Sequence, residues 1–200
     1  MPITRRSVLG VVSAISLAPA FAHAAEPASE GERALGSPTA KVTVLEFFSL
    51  TCTHCAHFAN TTFPQVKSDL IDTGKIRYVF HDFPLDQVAL TAAMVARTLP
   101  AERYEPFISA LFANQDRWAF SRQANPTEEI WKIAALAGMS RATFDAAVAD
   151  TALKDWIVAR QTLDQKKYGI NATPTFAING KVTSGAMSYE DFAKLVSEAS

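Results

Sequence analysis

A strand that runs directly into a pair of cysteines does most to limit what this chain can become. Val42 to Phe48 is an apolar, β-branched and aromatic run of strand length, and Ser49 to Thr51 interrupts it just before a helical pattern begins. Cys52 therefore opens a helix. Cys55 follows one turn on, on the same face and within disulfide reach. A sulfur at a helix opening lies beside unpaired backbone N–H groups and the positive end of the helix dipole, both of which favour thiolate over thiol. These are the only two cysteines in the chain, so neither has another intramolecular partner.

Cys-x-x-Cys also looks like half of a zinc site, and structural zinc normally needs four ligands. The residues available to complete one are His54, His57 and His81. The first two are too local to close a tetrahedron easily with both sulfurs, and there is no second Cys-x-x-Cys. The pair reads first as a redox centre, with zinc and a purely structural disulfide as the alternatives.

The first 24 residues are not fold material. Arg5 and Arg6 give a basic start, Val8 to Ala22 is mostly apolar, and Ala22-His23-Ala24 is a small-x-small cleavage signal, so export is expected. Thr4-Arg5-Arg6-Ser7-Val8-Leu9 is similar to a twin-arginine signal, although an ordinary secretory signal with adjacent arginines reads the same way. Residues 25–40 are a polar linker in which Ala34-Leu35 is expected to form an edge strand. What remains is one domain's worth of sequence. A hydrophobic content of 48% supports a real core, and a net charge of −1 gives no reason to expect nucleic acid or an anionic membrane as partner. Two cysteines are too few for a disulfide scaffold, which leaves the pair free for chemistry.

Beyond the cysteines the pattern predicts a helix from Thr53 to about Thr73, kinked at Pro64 and ended by Gly74, and then a second strand from Ile76 to Phe80. Strand, helix and strand make a right-handed βαβ unit with parallel strands. Residues 86–150 then read as helix after helix, with Asn125-Pro126-Thr127-Glu128 as a helix start. Trp118, Phe120 and Trp131 in this stretch fit core packing better than a peptide-binding surface. A long helix follows to Tyr168, where Gly169 stops it. Asn179-Gly180 turns a hairpin between Thr175–Ile178 and Lys181–Thr183, and Ser188 caps a last helix. The expected fold is α/β, a central mixed sheet flanked by helices, with residues 41–85 and 151–200 forming one unit and residues 86–150 inserted into it.

In that order of elements, Val44-Leu45-Glu46-Phe47-Phe48-Ser49, Cys52-Thr53-His54-Cys55, Asp82-Phe83-Pro84-Leu85 and Ala172-Thr173-Pro174-Thr175 resemble the DsbA-like thiol:disulfide oxidoreductases of the bacterial periplasm. The resemblance covers about Leu35 to Ser200 and implies a thioredoxin fold with an inserted helical domain and no bound cofactor. Thr53 stands where the best-known members carry proline. The implied activity is donation of the Cys52–Cys55 disulfide to exported, reduced or unfolded proteins through a mixed disulfide, with a DsbB-like membrane protein resetting the pair. A periplasmic isomerase or reductase is the runner-up, and a non-catalytic binding module a third reading.

Around the sulfurs, Cys52 is expected to be the nucleophile and Cys55 the buried resolving partner, with His54 tuning the thiolate. Glu46 is a charge inside an apolar strand, where it must pair or shift its pKa, and the resemblance makes it a proton acceptor beneath the cysteines, with Arg77 as its partner. The resemblance also implies that Pro174 is cis and faces the Cys52 sulfur, and that Thr173 offers its backbone to an extended substrate as an added strand. A monomer is expected, because the stretch before Val42 has no room for the dimerisation domain of isomerases. Thr173 before the proline is the hint in the other direction.

Overall fold

In the computed structural model, which describes residues 27–200, β2 (Val42–Phe48) and β3 (Ile76–Asp82) run parallel, with Val44 opposite Tyr78 and Glu46 opposite Phe80. β1 (Arg33–Leu35) pairs antiparallel with the free edge of β3. On the other side β4 (Thr175–Ile178) pairs antiparallel with β2, and β5 (Lys181–Ser184) completes the order β1-β3-β2-β4-β5. This is the mixed sheet expected from the sequence. The export signal read at residues 1–24 lies outside the described residues.

Side-chain alternation divides the sheet into two buried faces. Val42, Val44 and Phe48 share one face with Ile76, Tyr78 and Phe80, against α1 (Thr53–Thr61) and α9 (Tyr189–Glu198). Phe47 and Ala177 lie on the other face, against Phe83, Ile170 and Tyr168. The hairpin turn has both central residues in the left-handed region, Asn179 at φ 45° and Gly180 at φ 88°. Asn179 also accepts from Thr43 N–H at 2.9 Å and donates to Ala199 O at 3.0 Å, which ties the turn to β2 and to the end of α9.

The helix after the cysteines is disturbed beside Pro64, as expected, but the chain stays helical there. α1 runs to Thr61, Thr62 keeps a helical backbone at φ −102° and ψ −44° and accepts from Val66 N–H at 3.2 Å, α2 (Phe63–Val66) carries Pro64 in its first turn, and a π-helical turn (Lys67–Ile71) follows. A proline lacks the N–H an interior position needs and crowds the carbonyl four residues back, so it is tolerated best at a helix start. The Thr62 hydroxyl at the junction donates to Met187 O at 3.0 Å.

Between β3 and the long helix α8 (Thr151–Tyr168) lie α3 (Gln87–Thr98), α4 (Ala101–Ala113), α5 (Gln115–Trp118), α6 (Pro126–Leu136) and α7 (Arg141–Ala149). Trp118 is buried, Trp131 packs part-buried on Phe144, and Phe120 is exposed. These helices are joined to the sheet by a buried polar cluster. Arg97 on α3 pairs with Asp82 at the end of β3, the Tyr104 hydroxyl on α4 donates to Asp82 at 2.8 Å, and Arg33 on β1 donates to Arg97 O at 2.8 Å. Closer to the cysteines, Asn60 on α1 donates to Phe112 O at 3.3 Å, and the Phe112 ring meets Phe48.

Candidate active site

Ser49 to Thr51 carry the chain from β2 into α1 through a set of hydrogen bonds. Cys52 N–H donates to Ser49 O at 3.1 Å, and Ser49 Oγ accepts from Leu85 N–H at 3.3 Å. Thr51 Oγ1 donates to Asp86 at 2.6 Å, while Asp86 itself caps α3 through Ala89 N–H. The loop after β3 thus braces the turn that presents the cysteines.

Both cysteines are free thiols, and their surroundings differ sharply. Cys52 is the N-cap residue of α1 and only half-buried, whereas Cys55 is completely buried one turn in. The Cys52 thiol donates to Thr173 O at 3.2 Å. Its pKa is lowered to about 5, chiefly by hydrogen bonding from the Cys55 thiol, with Thr173 and the backbone N–H groups of Cys55 and His54 adding to this against the cost of burial. Burial moves Cys55 the other way, and the neighbouring Cys52 and Glu46 raise it further, so its thiol stays protonated. One sulfur is accessible and anionic and the other is sealed and neutral, an arrangement suited to attack at Cys52 with Cys55 as the resolving group.

Thr173–Pro174 is a cis peptide, as expected, with the Thr173 carbonyl facing Cys52 Sγ. The Thr173 hydroxyl is buried and has no hydrogen-bond partner among the described residues, so it is available to the sulfur. Pro174 O accepts from Gly185 N–H at 2.8 Å, which fixes the segment to the far end of the hairpin.

Glu46 lies beneath the pair, 4% exposed, and burial pushes its pKa up to about 7. The partner is Tyr78, whose hydroxyl donates to Oε2 at 2.8 Å; the expected partner Arg77 instead pairs with Glu32. Parity along β3 explains the correction. In a parallel pair, residues opposite one another share a face, so Tyr78, opposite Val44, points to the side of Glu46 and Arg77, opposite Thr43, to the reverse.

Thr53 and His54 are both exposed at the start of α1, and the His54 ring makes no hydrogen bond among the described residues. His57 is exposed too. His81 lies on the opposite face of β3, where Nδ1 and Asp164 are 2.7 Å apart. Among the described residues no group of three or more His, Cys, Asp or Glu is placed to hold a metal ion.

Two residues escaped the sequence reading. Tyr78 carried a usable signal, its even spacing from Phe80, but only once the strand register is known. Gln115 carried none: it is a polar residue 60 positions from Cys55, yet its side chain reaches the Cys52 carbonyl.

Comparison with known proteins agrees with this geometry. A family model described as thioredoxin matches residues 28–198. The crystal structure of α-DsbA1 from Wolbachia pipientis superposes with a TM-score of 0.78 at 33% identity, over 84% of this chain and 90% of that one. The chain is a DsbA-like member of the thioredoxin family. Its relatives include a Rickettsia bellii protein named as a protein-disulfide oxidoreductase, 30% identical over 155 residues. That alignment takes in 77% of this chain and 59% of the Rickettsia protein, so the chain spans well under two thirds of that relative's length. Disulfide bond formation protein D of Bacillus subtilis is 26% identical over 190 residues, 86% of this chain and 78% of that protein.

Proposed function

We propose that this DsbA-like protein is a periplasmic thiol:disulfide oxidoreductase that oxidises the cysteines of exported proteins. The observation that carries the reading is the asymmetry of the pair: a half-exposed Cys52 held as thiolate above a sealed Cys55. In the oxidised protein a substrate thiolate attacks Cys52 Sγ, the Cys52–Cys55 bond breaks, and its electron pair leaves on Cys55, which takes up a proton. Glu46, protonated up to about pH 7, is the buried acid on hand to supply it. A second substrate thiolate then attacks the substrate sulfur of the mixed disulfide and expels Cys52 as thiolate. The substrate leaves with a new disulfide, and the protein holds both electrons.

The direction follows from the same sulfur. Whatever stabilises the Cys52 thiolate stabilises the reduced product, and so makes the disulfide a stronger oxidant. A membrane redox partner of the DsbB kind would return the pair to the disulfide. Action as a monomer belongs to the same proposal. An extended substrate would dock against the Thr173 backbone by strand addition.

The isomerase or reductase reading draws on one observation, the unpartnered Thr173 hydroxyl at the Cys52 sulfur. Refolding of a reduced substrate and of a scrambled one, with sizing of the protein, separates the two. Rapid oxidation of the reduced substrate by a monomer is expected. A dimer that unscrambles well and oxidises poorly would overturn the assignment, and no turnover with either substrate would leave only the binding-module reading.

A further inference from the structure

One side chain from the helices between β3 and α8 hydrogen-bonds to the turn of the reactive cysteine. Gln115, the first residue of α5, is 5% exposed, and its Nε2 donates to Leu50 O at 2.8 Å and to Cys52 O at 3.0 Å. Both amide protons are thereby used on the turn that ends in the reactive sulfur. Cys52 O also accepts the first intrahelical bond of α1, from Ala56 N–H at 3.1 Å. The Cys52 backbone is extended, at φ −80° and ψ 121°, and on those angles depends whether Sγ points at the N–H groups that open the helix or away from them.

We infer that Gln115 is a positioning residue for the redox centre, fixing the Leu50 and Cys52 carbonyls from α5 and so setting where Cys52 Sγ points. The inference deepens the thiol-exchange reading and rests on it. Without the amide, the buried Leu50 O would lose its side-chain donor and Cys52 O would keep only the Ala56 N–H, so the turn between Leu50 and Cys52 would be held less tightly. The sulfur would then sample orientations in which fewer N–H groups face it, and the thiolate would be less favoured.

Gln115→Met keeps the length of the side chain and removes both donors. Thiolate absorbance of the reduced protein across pH should place the Cys52 midpoint higher than in wild type, by about half a unit or more. Gln115→Asn keeps an amide on a shorter arm that can reach at most one carbonyl, and its midpoint should fall between the two. Trp118→Phe is the control: it disturbs the same helix by removing the bond from Trp118 Nε1 to Leu111 O at 2.7 Å, and leaves the two Gln115 bonds in place. It should lower the melting temperature and leave the midpoint where it was. A Gln115 series that loses stability with an unmoved midpoint would make the residue merely structural, and so would a Trp118→Phe midpoint that moves as far as that of Gln115→Met. If the wild-type thiol itself titrated near its ordinary value, the thiol-exchange reading would fail instead, a result visible before any variant is made.

Discussion

The Tyr78 hydroxyl donates to Glu46 Oε2 at 2.8 Å in the centre of the sheet's main buried face. A phenol is neutral at physiological pH, so it can hold the carboxyl without supplying the charge an arginine would. Burial therefore dominates, and Glu46 stays protonated far above the usual carboxylate range. Tyr78→Phe removes the bond that favours the carboxylate. The Glu46 step in the pH profile of thiol exchange is expected to move above pH 7, and its absence from profiles of both proteins would deny Glu46 a role in proton transfer.

The same carboxyl makes a stability prediction. Its pKa is higher folded than unfolded, so between about pH 4.5 and 7 the unfolded chain releases the proton first and wild-type stability falls as pH rises. The full penalty above pH 7 is roughly 3 kcal/mol. Glu46→Gln should therefore gain on wild type as pH rises from 5 to 8 in urea unfolding, with a constant difference below pH 4.5.

Cys52 predicts the opposite slope for the reduced protein. Its pKa is lower folded, about 5, than the ordinary thiol value of 9.0, so the unfolded chain holds more protons across that window and stability rises with pH. The gain is lost as pH falls through about 5. Denaturation of reduced wild type against Cys52→Ala at several pH values should show the two curves converging towards acid.

Cys55→Ala leaves Cys52 without its resolving partner and should accumulate mixed disulfides with substrate, seen as thiol-sensitive bands on non-reducing gels. Cys52→Ala should accumulate none, because the remaining sulfur is fully buried. Trapping through Cys55 would reverse the assignment of roles.

Arg97 and Asp82 form a buried pair that Tyr104 completes. Removing one partner strands a buried charge, so Arg97→Met should cost about 3 kcal/mol or more, and Tyr104→Phe about 1–2 kcal/mol. Urea midpoints measure both. The Cys52 thiolate midpoint should not follow, since the bonds from this cluster to Arg33 and Ser29 tie it to β1 and to the segment before it rather than to residues 49–52.

Local chemistry in the chain was enough to name the cysteine pair, the strand before it, the parallel βαβ unit and the Asn179-Gly180 hairpin. Each is written within a few residues: an apolar, β-branched run of strand length, a helix opening at Cys52, a left-handed turn dipeptide. The cis Thr173–Pro174 peptide came from family resemblance, because a proline in sequence carries only a weak preference for cis. Tertiary structure alone decided the partners. Strand register put Tyr78 and not Arg77 on the side of Glu46, since a shift of one residue exchanges the two faces of a strand. Pro64 was legible as a disturbance, but the partner of Thr62 beside it was not, because Met187 lies 125 residues away. Gln115 shows the limit most plainly. An amide aimed at two carbonyls 63 and 65 residues earlier leaves no periodicity to read, because the contact exists only after α5 has packed beside the active-site turn.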